Sequence, residues 1–169
     1  MQRIILIGFM GSGKTHIGKQ LAIHLNIPFF DSDELISQRL QMHITTIFNV
    51  RGEEYFRDLE RDFIHEFNYD DDFVLSVGGG LPCHSNLISK LNMLGTTIFL
   101  NCSLETLHNR LLSEKNTRPL IRNTPKNELF DFIKTILETR NPVYLQSQII
   151  LPEDKHTVEK IIHEIRRIS

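Results

Sequence analysis

Residues 3–15 read Arg3-Ile4-Ile5-Leu6-Ile7-Gly8-Phe9-Met10-Gly11-Ser12-Gly13-Lys14-Thr15. The apolar run has strand length, and the segment behind it places Ile17, Leu21 and Leu25 on one helical stripe. Between them, Gly8 to Thr15 matches the phosphate-loop pattern at every defined position, in the strand–loop–helix context that the pattern needs. The chemistry explains the spacing. Glycines let the backbone wrap a polyphosphate with its N–H groups turned inward, and the helix adds its positive end. Lys14 offers a charge to the β- and γ-phosphates, and Thr15 a hydroxyl to Mg²⁺. The stretch predicts a nucleoside triphosphate but says nothing of what receives its phosphate.

Working outward, further runs of strand length are 28–30, 73–77, 97–100 and 148–151. Several are apolar throughout, which suits strands covered on both faces. The segments between them carry helical periodicity: 53–67, 104–112, 127–137 and the face Val158, Ile161, Ile162, Ile165, Ile168. Alternating strand and helix predicts one α/β domain with right-handed crossovers. The polar stretch 113–126, with Asn116, Pro119, Asn123 and Pro125, reads as a functional loop.

Composition bounds the alternatives. The 169 residues are 40% hydrophobic and 24% charged, with a net charge of −2. That is an ordinary globular domain with no overall electrostatic reason to seek nucleic acid or an anionic membrane. No run approaches the ~20 apolar residues of a membrane span. Residues 4–10 are too short, and too broken by Gly8, for a signal peptide. Cys83 and Cys102 fit no metal spacing and read as buried small hydrophobes, in keeping with a reducing, cytoplasmic setting. The phenylalanines at 56, 63 and 67 read as core, and Asp70-Asp71-Asp72 as a solvated loop.

Four more places carry polar residues where chemistry is expected. Asp31-Ser32-Asp33 follows the second strand, at the end where ligands of parallel sheets bind. Two carboxylates there can divide the work of Mg²⁺ and of an acceptor hydroxyl, or either can cap the next helix. Arg57 and Glu60 are three apart in Phe56-Arg57-Asp58-Leu59-Glu60. They form either a pre-oriented fork for a carboxylate or a surface ion pair. Gly78-Gly79-Gly80 ends a strand that holds no Walker B acid, which leaves Asp31 the better metal-side carboxylate. Arg118 or Arg122 in the polar loop can close over a transferring phosphate. Arg110 reads as a base-stacking residue or a solvated helix face, and Arg140 as a charge at a helix end.

Taken in order, Gly-Phe-Met-Gly-Ser-Gly-Lys-Thr at 8–15, Asp-Ser-Asp at 31–33, Phe-Arg-Asp-Leu-Glu at 56–60, Gly-Gly-Gly at 78–80, Arg-Pro-Leu-Ile at 118–121 and Arg-x-x-x-Tyr at 140–144 make a combination. On these motifs the chain resembles the shikimate kinase family from end to end. The resemblance implies a single domain over 1–169, a three-layer α/β/α P-loop kinase fold with a five-stranded parallel sheet in order 2-3-1-4-5. It implies acceptor-binding helices near 33–62 and a mobile lid near 113–126. It implies a monomer that uses ATP and Mg²⁺ to phosphorylate the 3-hydroxyl of shikimate, on the chorismate route to aromatic amino acids.

Residue by residue, the resemblance puts the phosphates on Lys14 and the amides of Gly11, Ser12 and Gly13, and the metal on Thr15 and Asp31. Asp33 looks like the residue that orients or deprotonates the attacking hydroxyl. Arg57 and Arg140 look like the clamp on the shikimate carboxylate, with backbone contact from Gly79 and Gly80. Arg118 looks like the lid arginine and Arg110 the adenine-stacking one. The sequence departs from the family at His16, where a second hydroxyl is frequent, and near 152–156, where Lys155 takes no role. Two competitors share parts of this pattern: a gluconate or nucleotide kinase, and a nucleotide-dependent binding module that has lost transfer.

Overall fold

A computed structural model describes residues 2–114 and 118–168. Five strands form one parallel sheet: β1 (Arg3–Ile7), β2 (Phe29–Asp31), β3 (Phe73–Ser76), β4 (Thr96–Asn101) and β5 (Ile149–Pro152). Their order is β2-β3-β1-β4-β5, as expected. The helices are α1 (Lys14–Leu25), α2 (Ser32–Leu40), α3 (Ile44–Glu66), α4 (Leu87–Leu94), α5 (Leu104–Glu114), α6 (Leu129–Tyr144) and α7 (Val158–Ile168).

The unbroken apolar run of β1 is divided by strand alternation. Ile4 and Leu6 join Ile17 and Leu21 of α1 and Ile161 and Ile165 of α7 on one face. Ile5 and Ile7 join α3, α4, α5 and α6 through Ile64, Leu91, Leu111 and Ile133 on the other. Side chains of one strand therefore serve two cores, as a buried parallel strand requires. The outermost strand β5 differs: its residues alternate buried and exposed, because only one face is covered. Of the two cysteines, Cys102 is buried and Cys83 half-buried.

A third cluster stands apart from the sheet. Ile36 of α2 and Ile47 and Phe56 of α3 pack together, with Phe48 of α3 against them. The periodicity starting at 53 marks only the second half of α3. The helical stretch continues back to Ile44, broken at Gly52, whose φ of 82° and ψ of 173° are not helical. A methyl group at Gly52 would meet nothing within 4 Å, so glycine is needed there for its backbone conformation, not for space.

The polar stretch expected as a lid is shorter than its composition suggests. α5 runs on to Glu114, a 3₁₀ turn covers Pro119–Ile121, and Ile121 is fully buried. Residues 115–117, including Asn116, lie outside the described residues.

Candidate active site

The sheet order brings three strand ends side by side: β2 with Asp31, β3 with the glycines, and β1 with the phosphate loop. They border a cleft of about 750 Å³ that runs on past Arg110 and Arg118 to His156. Most of the expected residues line it: Gly11, Ser12, Gly13, Lys14, Thr15, Asp31, Asp33, Arg57, Gly79, Gly80, Arg110, Arg118 and Arg140. Arg122, the other loop arginine, does not.

The loop turns through Gly13, whose φ of 94° is left-handed, straight into α1. Lys14 is buried, and its Nζ donates to the carbonyls of Gly8 and Phe9, each at 2.9 Å. Burial pulls its pKa down to about 8, against the opposing pull of Asp33 and Asp31. The Thr15 hydroxyl donates to Asp31 Oδ2 at 2.9 Å. The other oxygen of Asp31 accepts from the amides of Asp33 and Glu34 and caps α2. Asp31 is thus both helix cap and neighbour of the phosphate loop.

Asp33 points into the cleft from the first turn of α2. Burial raises its pKa, with the Asp31 charge adding to the effect and Lys14 opposing it. Ser32 between the aspartates is fully buried, and its hydroxyl accepts from the Gly78 amide at 2.9 Å, tying β2 to the glycine turn. That turn is glycine because side chains of the site occupy the space. A methyl group at Gly78 would lie 2.6 Å from Glu60 Oε1 and 2.9 Å from Asp33 Oδ1, and one at Gly80 would run into the Arg57 guanidinium.

The Arg57–Glu60 pair is not on the surface. Glu60 is fully buried and Arg57 nearly so, with Nη1 to Oε2 at 2.6 Å. Glu53, one turn earlier, takes Nη2 at 2.7 Å and Nε at 3.2 Å. Glu53 escaped the sequence reading, although its i,i+4 spacing to Arg57 was available. Burial drives Glu60 up to about 7, against the pull of Arg57. Arg140 is one turn inside α6, not at its end. It lies over the Phe9 ring, 5.7 Å from the centroid, and its Nη1 is buried with no hydrogen-bond partner among the described residues. One turn on, the Tyr144 hydroxyl donates to the Gly79 carbonyl and fixes the glycine turn. Two arginines and a lysine converging with one raised aspartate suit an anionic acceptor that carries a hydroxyl.

At the other end, Arg110 Nη1 donates to the Gly11 carbonyl at 2.9 Å, and Arg118 pairs with Glu114 at 2.7 Å. His156 to Glu159 line the cleft there, whereas Lys155 does not. His156 escaped the sequence reading because nothing in its neighbours forms a pattern.

The family model described as shikimate kinase matches residues 10–168. The chain belongs to the shikimate kinase family. A shikimate kinase of Bacteroides fragilis is 40% identical over 172 residues, spanning 99% of this chain and 96% of that protein. The crystal structure of shikimate kinase from Bacteroides thetaiotaomicron is 38% identical with a TM-score of 0.87, covering 99% of this chain and 97% of that one. The shikimate kinase from Acinetobacter baumannii in complex with shikimate is 28% identical with a TM-score of 0.89, covering 100% of this chain and 95% of that one. Shikimate kinases are ATP-dependent phosphotransferases, and a phosphate loop with a buried carboxylate in the same cleft is compatible with such chemistry. No helix among the described residues is long and apolar enough to cross a membrane.

Proposed function

We propose that this chain transfers the γ-phosphoryl group of ATP to the 3-hydroxyl of shikimate, giving shikimate 3-phosphate and ADP. The observation that carries the reading is the cleft in which Lys14, Asp33 and Arg57 meet between the strand ends. The nucleotide lies along Gly11 to Thr15, with its base toward Arg110. The shikimate carboxylate is held by Arg57 and Arg140, and its hydroxyls meet Asp33 and the backbone of Gly79 and Gly80. The attacking oxygen forms its bond to the γ-phosphorus as the bond to the ADP oxygen breaks, and its proton passes to the Asp33 carboxylate. Burial of Asp33 brings that base nearer the operating pH. Lys14 and Arg118 neutralise charge on the transferring group.

The Thr15 hydroxyl and Asp31 carboxylate, joined at 2.9 Å, are hard oxygen donors of the kind that suit Mg²⁺. Thr15 and Asp31 would hold Mg²⁺, which would supply positive charge to offset that of the transferring phosphate. We place the enzyme in the cytoplasm and expect a monomer with the acceptor-binding helices near 33–62.

The test is an assay of ADP release with ATP and Mg²⁺, run with shikimate, gluconate, nucleoside monophosphates or no acceptor. Release that depends on shikimate alone supports the reading. A folded, ATP-binding protein that turns over gluconate or a nucleotide instead, or no acceptor at all, overturns it.

A further inference from the structure

Glu60 has no task in the reaction so far except to hold Arg57. Its surroundings ask for more. The side chain is sealed from solvent. Oε2 takes Arg57 Nη1 at 2.6 Å, but Oε1 is buried without any hydrogen-bond partner among the described residues. Oε1 and Asp33 Oδ1 both flank the small space left by the missing side chain of Gly78. A sealed, unpartnered carboxylate oxygen beside a second carboxylate is costly as an anion and is relieved by a proton.

We propose that Glu60 is a positioning residue that takes up a proton as the acceptor binds, leaving the acceptor's carboxylate to balance the Arg57 charge while Glu60 keeps its hydrogen bond to Arg57. The inference rests on the reading of Arg57 and Arg140 as the carboxylate clamp. Before the acceptor arrives, Arg57 is shared between Glu53 and Glu60. An incoming carboxylate brings a third anion to the same guanidinium. Glu53 is half open to water and keeps its charge cheaply; Glu60 does not. The groups facing Glu60 from other elements are Asp33 of α2, Arg140 of α6 and Cys83 beside the glycine turn. Burial already brings Glu60 to about 7, so a further anion nearby acts within the neutral range. Protonated Glu60 still accepts from Arg57 through Oε2, so the arginine keeps its aim.

The test is calorimetry of shikimate binding to the full chain at pH 6, 7 and 8, in buffers of differing ionisation enthalpy. Proton uptake should be about fivefold larger at pH 7 and 8 than at pH 6, and the shikimate Kd should rise about fivefold from pH 6 to pH 8, if binding raises Glu60 by one unit. Glu60→Gln mimics the protonated state and should bind with no uptake and a flat pH profile. Glu53→Gln should retain the uptake. Binding without buffer-dependent enthalpy in the wild type overturns the inference. So does uptake that persists in Glu60→Gln, which would assign the proton to another group such as His84 or Lys14. Failure to bind shikimate at all would instead overturn the functional reading. A melting temperature for each variant separates loss of fold from loss of coupling.

Discussion

Asp33 and Arg57 both flank the glycine turn, yet in the proposed reaction they answer to different steps. In the proposed reaction Asp33 takes the proton of the reacting oxygen, so Asp33→Asn is expected to lower kcat about 10²-fold or more while the shikimate KM moves little. An unchanged kcat in the purified variant would remove Asp33 from the proton's path. As the proposed carboxylate clamp, Arg57 would contribute to ground and transition state alike. Arg57→Ala is expected to raise the shikimate KM about 30-fold or more, with the ATP KM nearly unchanged. Equal changes in both KM values would mean that Arg57 supports the cleft in general and no carboxylate in particular. The residue types at these positions were legible because spacing announced them. What the spacing left open was burial. Glu60 three residues from Arg57 reads the same on a surface as in a core, and only the packing of α3 against the glycine turn decides between them.

Among the elements, α3 shows where sequence periodicity stops. Phe56, Phe63 and Phe67 announce the helix after 53, whereas Ile44 to Arg51 carries threonines, an asparagine and a glycine boundary, and its apolar residues face a small separate cluster. The strands were easier, because runs such as Phe73 to Ser76 have no competing period, and their ends shifted by about one residue. Gly52 sets the angle between the two halves of α3. Because a methyl group there meets nothing, Gly52→Ala tests backbone conformation alone. It is expected to cost about 1 kcal/mol or more of stability in denaturant unfolding, and Gly52→Asn at least as much, since a ψ of 173° lies outside the left-handed helical well that asparagine tolerates. Equal stability of Gly52→Ala and the wild type would show that the break is not held at that conformation.

For the whole molecule, the site is a strain on the fold. Glu60 is raised to about 7 in the folded chain and has an ordinary value near 4.5. Between those values the folded chain binds the proton that the unfolded chain has lost. Stability from this group is therefore present below pH 4.5 and is lost as pH rises through about 7. Denaturant unfolding at pH 5, 6 and 7 should show the wild type losing stability relative to Glu60→Gln as pH rises. A constant difference would show that Glu60 does not titrate in this window. Lys14, lowered to about 8, acts in the opposite sense, and its burial cost fades as pH rises from 8 toward 10.5. A fold that buries two such groups along one cleft trades stability for the charges it holds there.

The helical turns from Glu53 to Glu60 have one more consequence. Arg57 is gripped from both sides by residues of its own helix, at i−4 and i+3, and neither grip comes from a loop. Its aim is thus written into eight consecutive residues. That makes the segment a transferable part. Grafted onto a helix of another scaffold with a glycine turn opposite, it would carry its own alignment with it and offer a carboxylate fork ready-made.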